Sequence, residues 1–198
     1  MEHERDDAAF TAFVERHQDS LVNYLTHMLR SRERAEELAQ EAFVRFYRKG
    51  WPARSDEQLA PYLFRTATNL AVSHIRRERL WQRIVPSLIA REPRSAPAAD
   101  RPLMTQEIQH QVTTALDRLP LKFRAPLVLY EIEEWSYEQI AQTLACAIGT
   151  VKSRISRARA MMRRELEPWW IGENHDGPRS WNCAAATAAS EDIATIRA

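Results

Sequence analysis

The chain has 198 residues, 44% of them hydrophobic and 28% charged, a globular composition with room for one or two small domains. Its formal net charge is only +1, yet Pro61 to Leu103 carries eight basic and three acidic side chains and Thr150 to Glu167 carries six and two, so a polyanion would be met at two separated places. Four glycines and six scattered histidines form no phosphate loop, metal motif or nucleophile elbow, which argues against an enzyme, a metal or a cofactor.

Apolar residues recur at helical spacing from Ala8 to Arg30, at Phe10, Phe13, Val14, Leu21, Tyr24, Leu25 and Met28. His17 and His27 belong to that helix as packing and surface residues rather than ligands, since no second ligand stands at metal spacing. After a polar break, SRERAEE, a second helix is expected from Ala35 to Arg48, with Leu38, Ala42, Phe43, Phe46 and Tyr47 on its core side. Glu37, Gln40, Glu41, Val44, Arg45 and Arg48 then face outward, with Glu41 and Arg45 spaced for an i,i+4 pair. Gly50, Trp51 and Pro52 end it, and Arg54 to Ala60 reads as a polar loop.

A third helix starts at Pro61, a residue tolerated at the first helical position, and runs through Arg79. Asn69, Ser73, Arg76, Arg77 and Arg79 gather polar and cationic groups toward its end, where arginines also complement the helix dipole. Trp81, Ile84 and Val85 offer a short continuation. Pro86, Pro93, Pro97 and Pro102 then mark a flexible linker.

Ile108, Val112, Ala115, Leu116 and Leu119 make the next helix, and Pro120 opens another containing Phe123, Leu127, Val128 and Tyr130. Pro126 inside it removes one backbone hydrogen bond. Glu131, Glu133 and Glu134 read as a solvated acidic end. Ser136 and Gln139 form a capping-box pattern before a short helix carrying Tyr137, Ile140, Ala141 and Leu144. The turn Ala145-Cys146-Ala147 leads into a last helix from about Ile148, where Val151, Ile155, Ala158 and Met162 form the inward stripe.

Lys152, Arg154, Arg157, Arg159, Arg163 and Arg164 point the other way, with Ser153 and Ser156 among them. A helix of this width fits a major groove, its cations can donate to phosphates and guanine edges, and its small hydroxyls permit close approach. This is a helix-turn-helix, and the alternative reading of its basic face is a merely solvated one. Cys146 and Cys183 are too few for a metal cage and read as thiols of a reducing cytosol. The stretch Pro168 to Ala198 lacks an amphipathic stripe and is expected to be largely disordered, with Trp169 and Trp170 folding back. No apolar run approaches the ~20 residues of a membrane span, and the N-terminus lacks a signal-peptide core, so a cytoplasmic protein without membrane insertion is expected.

The order AEELAQEAFVRFYR, PYLFRTATNLAVSHIRRER, linker, LPLKFRAPLVLYEIEEWSYEQIAQTLACAIGTVKSRISRARAMMRREL closely resembles bacterial sigma factors of the extracytoplasmic-function (ECF) subclass, over about Phe10 to Leu166. The resemblance implies an all-α protein of two small helical domains joined by a flexible proline-rich linker. A polymerase-binding domain at 1–89, a linker at 90–103, a helix-turn-helix domain at 104–167 and a tail at 168–198 follow from it. It also implies core RNA polymerase, promoter DNA and an anti-sigma factor as partners, and transcription initiation without covalent chemistry.

Residue by residue, the resemblance puts Leu38, Gln40, Glu41, Val44 and Arg45 on the clamp helices of the largest polymerase subunit. Tyr62, Asn69, Ser73, Arg76 and Arg77 fall on positions that meet the −10 element. Thr150, Lys152, Ser153, Ser156 and Arg157 fall on −35 positions, and Arg154 and Arg159 on phosphate or packing positions beside them. Tyr62 stands where the family usually has tryptophan, and the loop RSDEQLA departs from the family's glycine and serine pattern. Ala145 and Ala147 replace a frequent glycine and proline. A simple helix-turn-helix regulator would need only the second domain, and the match across Ala35 to Arg79 argues against one.

Overall fold

The computed structural model describes residues 2–48, 56–84 and 103–172, and all regular structure among them is α-helical. Most of the expected linker and tail, and residues 49–55, lie outside the described residues. The helices are α1 (Glu2–Leu29), α2 (Arg32–Arg48), α3 (Asp56–Ile84), α4 (Leu103–Arg118), α5 (Leu121–Glu131), α6 (Tyr137–Leu144) and α7 (Ile148–Gly172). They fall into two compact units, one built on α1, α2 and α3, the other on α4, α5 and α7; Glu138–Cys146 groups with the first.

In the first unit α1 commits Phe13, Leu21, Tyr24, Leu25 and Met28 to the core, and α3 commits Leu63, Phe64, Ala67 and Ala71. Between them α2 buries Ala35, Ala39 and Ala42, whose small side chains let helix backbones approach, and then Phe43 and Phe46. The Phe13 and Phe46 rings lie stacked at 5.6 Å, and Tyr24 meets Phe64 at the same distance in a tilted contact. A polar tie crosses this core. The Thr68 hydroxyl donates to the Phe64 carbonyl at 2.7 Å, so the Tyr24 phenol is the donor in its 2.8 Å bond to Thr68.

The boundaries depart from the sequence expectation where polar residues hide a helix. The expected break before α2 is already helical: Arg30 turns left-handed at φ 59°, and Ser31 accepts the Arg34 N–H at 3.3 Å as an N-cap. The pairs Arg32–Glu36 at 2.9 Å and Arg34–Glu37 at 2.7 Å then support the first turns. Helix α1 begins at Glu2 rather than Ala8, through an acidic stretch suited to a helix N-terminus but lacking an apolar stripe. Helix α3 begins at Asp56, inside the expected loop, because Leu59 and Ala60 are buried ahead of Pro61. Pro61 forgoes one hydrogen bond near the helix start, a smaller loss than in the middle of the helix.

In the second unit Pro120 stands as the N-cap of α5, as expected, at φ −56° and ψ 140°. Ala125, Leu127, Val128 and Leu129 of α5 are buried, as are Val151, Ile155, Ala158, Met162 and Leu166 of α7. Arg124 is buried too, a placement its sequence neighbours do not signal. It pairs with Asp117 at 3.1 Å and donates to the carbonyls of Asp117 and Leu119, satisfying the end of α4. Helix α7 continues through an exposed Pro168 to Gly172, so the first residues of the expected disordered tail are helical.

Both α1 histidines are packing residues. His17 lies 4.5 Å from the Phe13 ring, and burial, with Arg16 beside it, lowers its pKa. Burial alone brings His27 down to about 4. In the unfolded chain His27 takes up a proton near 6.5, so the folded state is favoured fully above that pH and progressively less as pH falls toward 4. The complete loss amounts to roughly 3 kcal/mol. Denaturation midpoints measured from pH 7 to 5 should fall with acid, and His27→Leu should flatten that dependence; an unchanged slope would contradict the burial of a neutral imidazole.

Candidate nucleic-acid interface

The turn before α7 is built from backbone. Ala145 takes a left-handed φ of 49°, the conformation that favours glycine, at a cost of about 1 kcal/mol. The Cys146 N–H then donates to the Ala141 carbonyl at 3.1 Å, closing the end of α6. On the far side, the N–H groups of Thr150 and Val151 donate to the Ala147 carbonyl at 2.8 and 3.1 Å and start α7. Nothing lies within 4 Å of a Cβ placed on Gly149, so the space beside this residue at the start of α7 is open.

Beyond it, the buried stripe Val151, Ile155, Ala158 and Met162 fixes which side of α7 faces solvent. Lys152, Ser153, Ser156, Arg157, Arg163 and Arg164 are exposed; Thr150 and Arg154 are half-buried. The Ser153 hydroxyl donates to the Thr150 carbonyl at 3.0 Å, which leaves its oxygen able to accept a hydrogen bond. Lys152 extends over the Tyr137 ring with Nζ 5.4 Å from the centroid, and Tyr137 stacks on Tyr130 at 4.9 Å and 9°. A hydrogen bond with Tyr130, together with burial, raises the Tyr137 phenol above its ordinary pKa. This aromatic pair was not legible in the sequence, where Tyr130 and Tyr137 belong to different helices.

Arg159 is engaged within the unit. Its Nε donates to Glu131 Oε1 at 2.7 Å, Nη2 lies 2.6 Å from the same oxygen, and the guanidinium covers the Tyr130 ring at 5.2 Å. Glu131, expected at a solvated acidic end, is therefore a half-buried ion-pair partner. The reason is register: burying Val151, Ile155 and Ala158 brings the next turn of α7 against the end of α5.

In the first unit, Tyr62 is 52% exposed and Asn69, Ser73, Arg76 and Arg77 are exposed along α3. On α2, Gln40, Val44 and Arg45 are exposed, Leu38 and Glu41 are half-buried, and the expected Glu41–Arg45 ion pair forms. A groove of ≈ 650 Å³ runs between the two helices. Leu38, Glu41, Arg45 and Arg48 form its α2 wall; Thr66, Asn69, Leu70, Ser73, His74 and Arg77 form its α3 wall. Gln40, Val44, Tyr62 and Arg76 lie outside it.

Comparison with known proteins defines the class. Residues 13–80 match the family model of sigma-70 region 2, and residues 109–162 match that of sigma-70, region 4. The RNA polymerase sigma-H factor of Pseudomonas aeruginosa is 31% identical over 173 residues, covering 82% of this chain and 89% of the relative. The ECF RNA polymerase sigma factor SigW of Bacillus subtilis is 30% identical over 169 residues, covering 81% and 90%. In fold, the chain is similar to the Bartonella quintana sigma factor RpoE, solved in complex with the anti-sigma factor NepR, at a TM-score of 0.64 and 24% identity over 80% of this chain and 97% of that one.

A chain carrying both sigma-70 regions in this order is a transcription initiation factor. More closely, it belongs to the ECF subclass of RNA polymerase sigma factors. It binds core RNA polymerase and directs it to promoters. No helix among the described residues is long and apolar enough to cross a membrane.

The ion pair of Arg159 is testable by a double-mutant cycle. Arg159→Ala and Glu131→Ala should show a coupling of roughly 0.5–1 kcal/mol in unfolding experiments. Arg159→Ala should leave the salt dependence of DNA binding unchanged; a slope shallower by about one phosphate contact would assign Arg159 to DNA instead.

Proposed function

We propose that this sigma factor grips its promoter at two elements, with α7 reading the −35 element and α3 meeting the −10 element. The carrying observation is that α7 buries the stripe Val151, Ile155, Ala158 and Met162 and leaves Lys152, Ser153, Ser156 and Arg157 exposed. In this reading these four, with Thr150, lie nearest the bases, and Arg154 reaches a phosphate. Tyr62, Asn69, Ser73, Arg76 and Arg77 hold the strand being opened, where phosphate contacts must restrain the backbone while a base leaves its stack.

Docking on the polymerase clamp helices belongs to α2, with Gln40 and the exposed apolar Val44 as its most accessible candidates among Leu38, Gln40, Glu41, Val44 and Arg45. Residues 90–103 would connect a domain at 1–89 to one at 104–167 and set the distance between the two grips. Because a fold relative was solved with an anti-sigma factor, we assign a partner of that kind to this chain, covering the same faces in the uninduced cell. The protein works in the cytoplasm and does no covalent chemistry, since bond formation belongs to the polymerase.

Arg157→Ala tests the base-reading role. Reconstituted holoenzyme should lose about 1–3 kcal/mol of promoter affinity, with preference relaxed at one −35 position. An equal loss on every promoter variant would move Arg157 to the phosphates.

A further inference from the structure

The groove between α2 and α3 brings together residues that the family resemblance assigns to different ligands. Glu41 and Arg45, expected to meet polymerase, stand across from Asn69, Ser73 and Arg77, expected to meet DNA. A ligand filling the groove touches both sets. Its character follows from charge: Arg45, Arg48 and Arg77 supply three guanidinium groups against the single Glu41 carboxylate, and that carboxylate is already bound by Arg45. Among the described residues neither Arg48 nor Arg77 has a carboxylate partner. Asn69 and Ser73 add uncharged donors between them.

The exposed apolar surface of α2 lies elsewhere. Val44, 49% exposed, and Gln40 sit one turn apart beside the groove wall, each about 100° round α2 from the groove residue that follows it, Arg45 and Glu41, while Arg48 stands one turn beyond Val44. Arg48 thus stands where the groove wall borders that face.

We propose that Arg48, with Arg45 and Arg77, seats the phosphodiester backbone of promoter DNA in the α2–α3 groove, so that α2 is a DNA-contacting helix as well as a polymerase-docking one. This rests on the sigma-factor reading and extends it to Arg48, which the family resemblance leaves unassigned, while moving Arg45 from the polymerase to the DNA. The groove uses guanidinium groups because each presents a planar fork of donors to phosphate oxygens, and neutralised phosphates release counterions.

The test uses holoenzyme assembled from core RNA polymerase and the full chain. Promoter affinity is measured across a salt series, and core affinity is measured separately without DNA. For Arg48→Ala the log–log salt slope should become shallower by about 0.7–0.9, with loss of affinity spread evenly over promoter sequences and core affinity unchanged within about twofold. Arg48→Lys, which keeps the charge, should retain most of the slope. Val44→Asp should weaken core binding instead.

An unchanged slope in Arg48→Ala overturns the proposal. So does a loss of core affinity in that variant without DNA, which would make the groove a seat for an acidic segment of the polymerase. Failure of the unaltered chain to start transcription with core polymerase would remove the sigma-factor reading itself, an outcome seen before any variant is compared.

Discussion

The rotation of α7 about its own axis is the constraint on which the second unit depends. Val151, Ile155 and Met162 are each worth roughly 1.5–3 kcal/mol when buried, and Ala158 between them sets how closely the helix packs. Turning α7 by a single residue, about 100°, would bring Lys152 toward the core and lift Val151 out. No surface ion pair could offset that loss, since such pairs contribute at most about 1 kcal/mol. The cations and hydroxyls of α7 therefore face solvent because the apolar stripe leaves them no other orientation.

The same reasoning governs α2. Its buried side is a row of alanines followed by Phe43 and Phe46, and this one packed face leaves two outward faces. One carries Gln40 and Val44; the other, with Glu41, Arg45 and Arg48, closes the groove against α3. An initiation factor must hold a large protein and a strand of DNA at once. The outer side of α2 runs from the apolar Val44 to the guanidinium groups of the groove, the first suited to a protein surface and the second to a phosphate backbone.

Much of this could be read from the chain because periodicity reports burial directly. The stripe on α7, the turn at Ala145-Cys146-Ala147 and the core side of α2 all appeared at their positions, since each depends on residues close in sequence. What escaped depends on residues brought together only by packing. Glu131 and Arg159 lie 28 positions apart, and the aromatic stack joining Tyr130 to Tyr137 spans a turn. Arg124, surrounded by apolar residues in sequence, is buried because the end of α4 needs its donors. Helix starts at Glu2, Arg32 and Asp56 were obscured for a different reason: their first turns are polar, and periodicity cannot detect a helix that begins without an apolar stripe. The family resemblance sorted site residues by ligand but could not say which of them share a groove.

On the function proposed here, core polymerase becomes promoter-specific because this chain holds DNA from two separate helical surfaces. Run-off transcription with core RNA polymerase on a library of genomic fragments measures it directly. Discrete transcripts that require the protein, and that vanish when core polymerase is supplied alone, are the expected result. A protein that binds DNA by itself yet yields no promoter-dependent transcript on any fragment would contradict it.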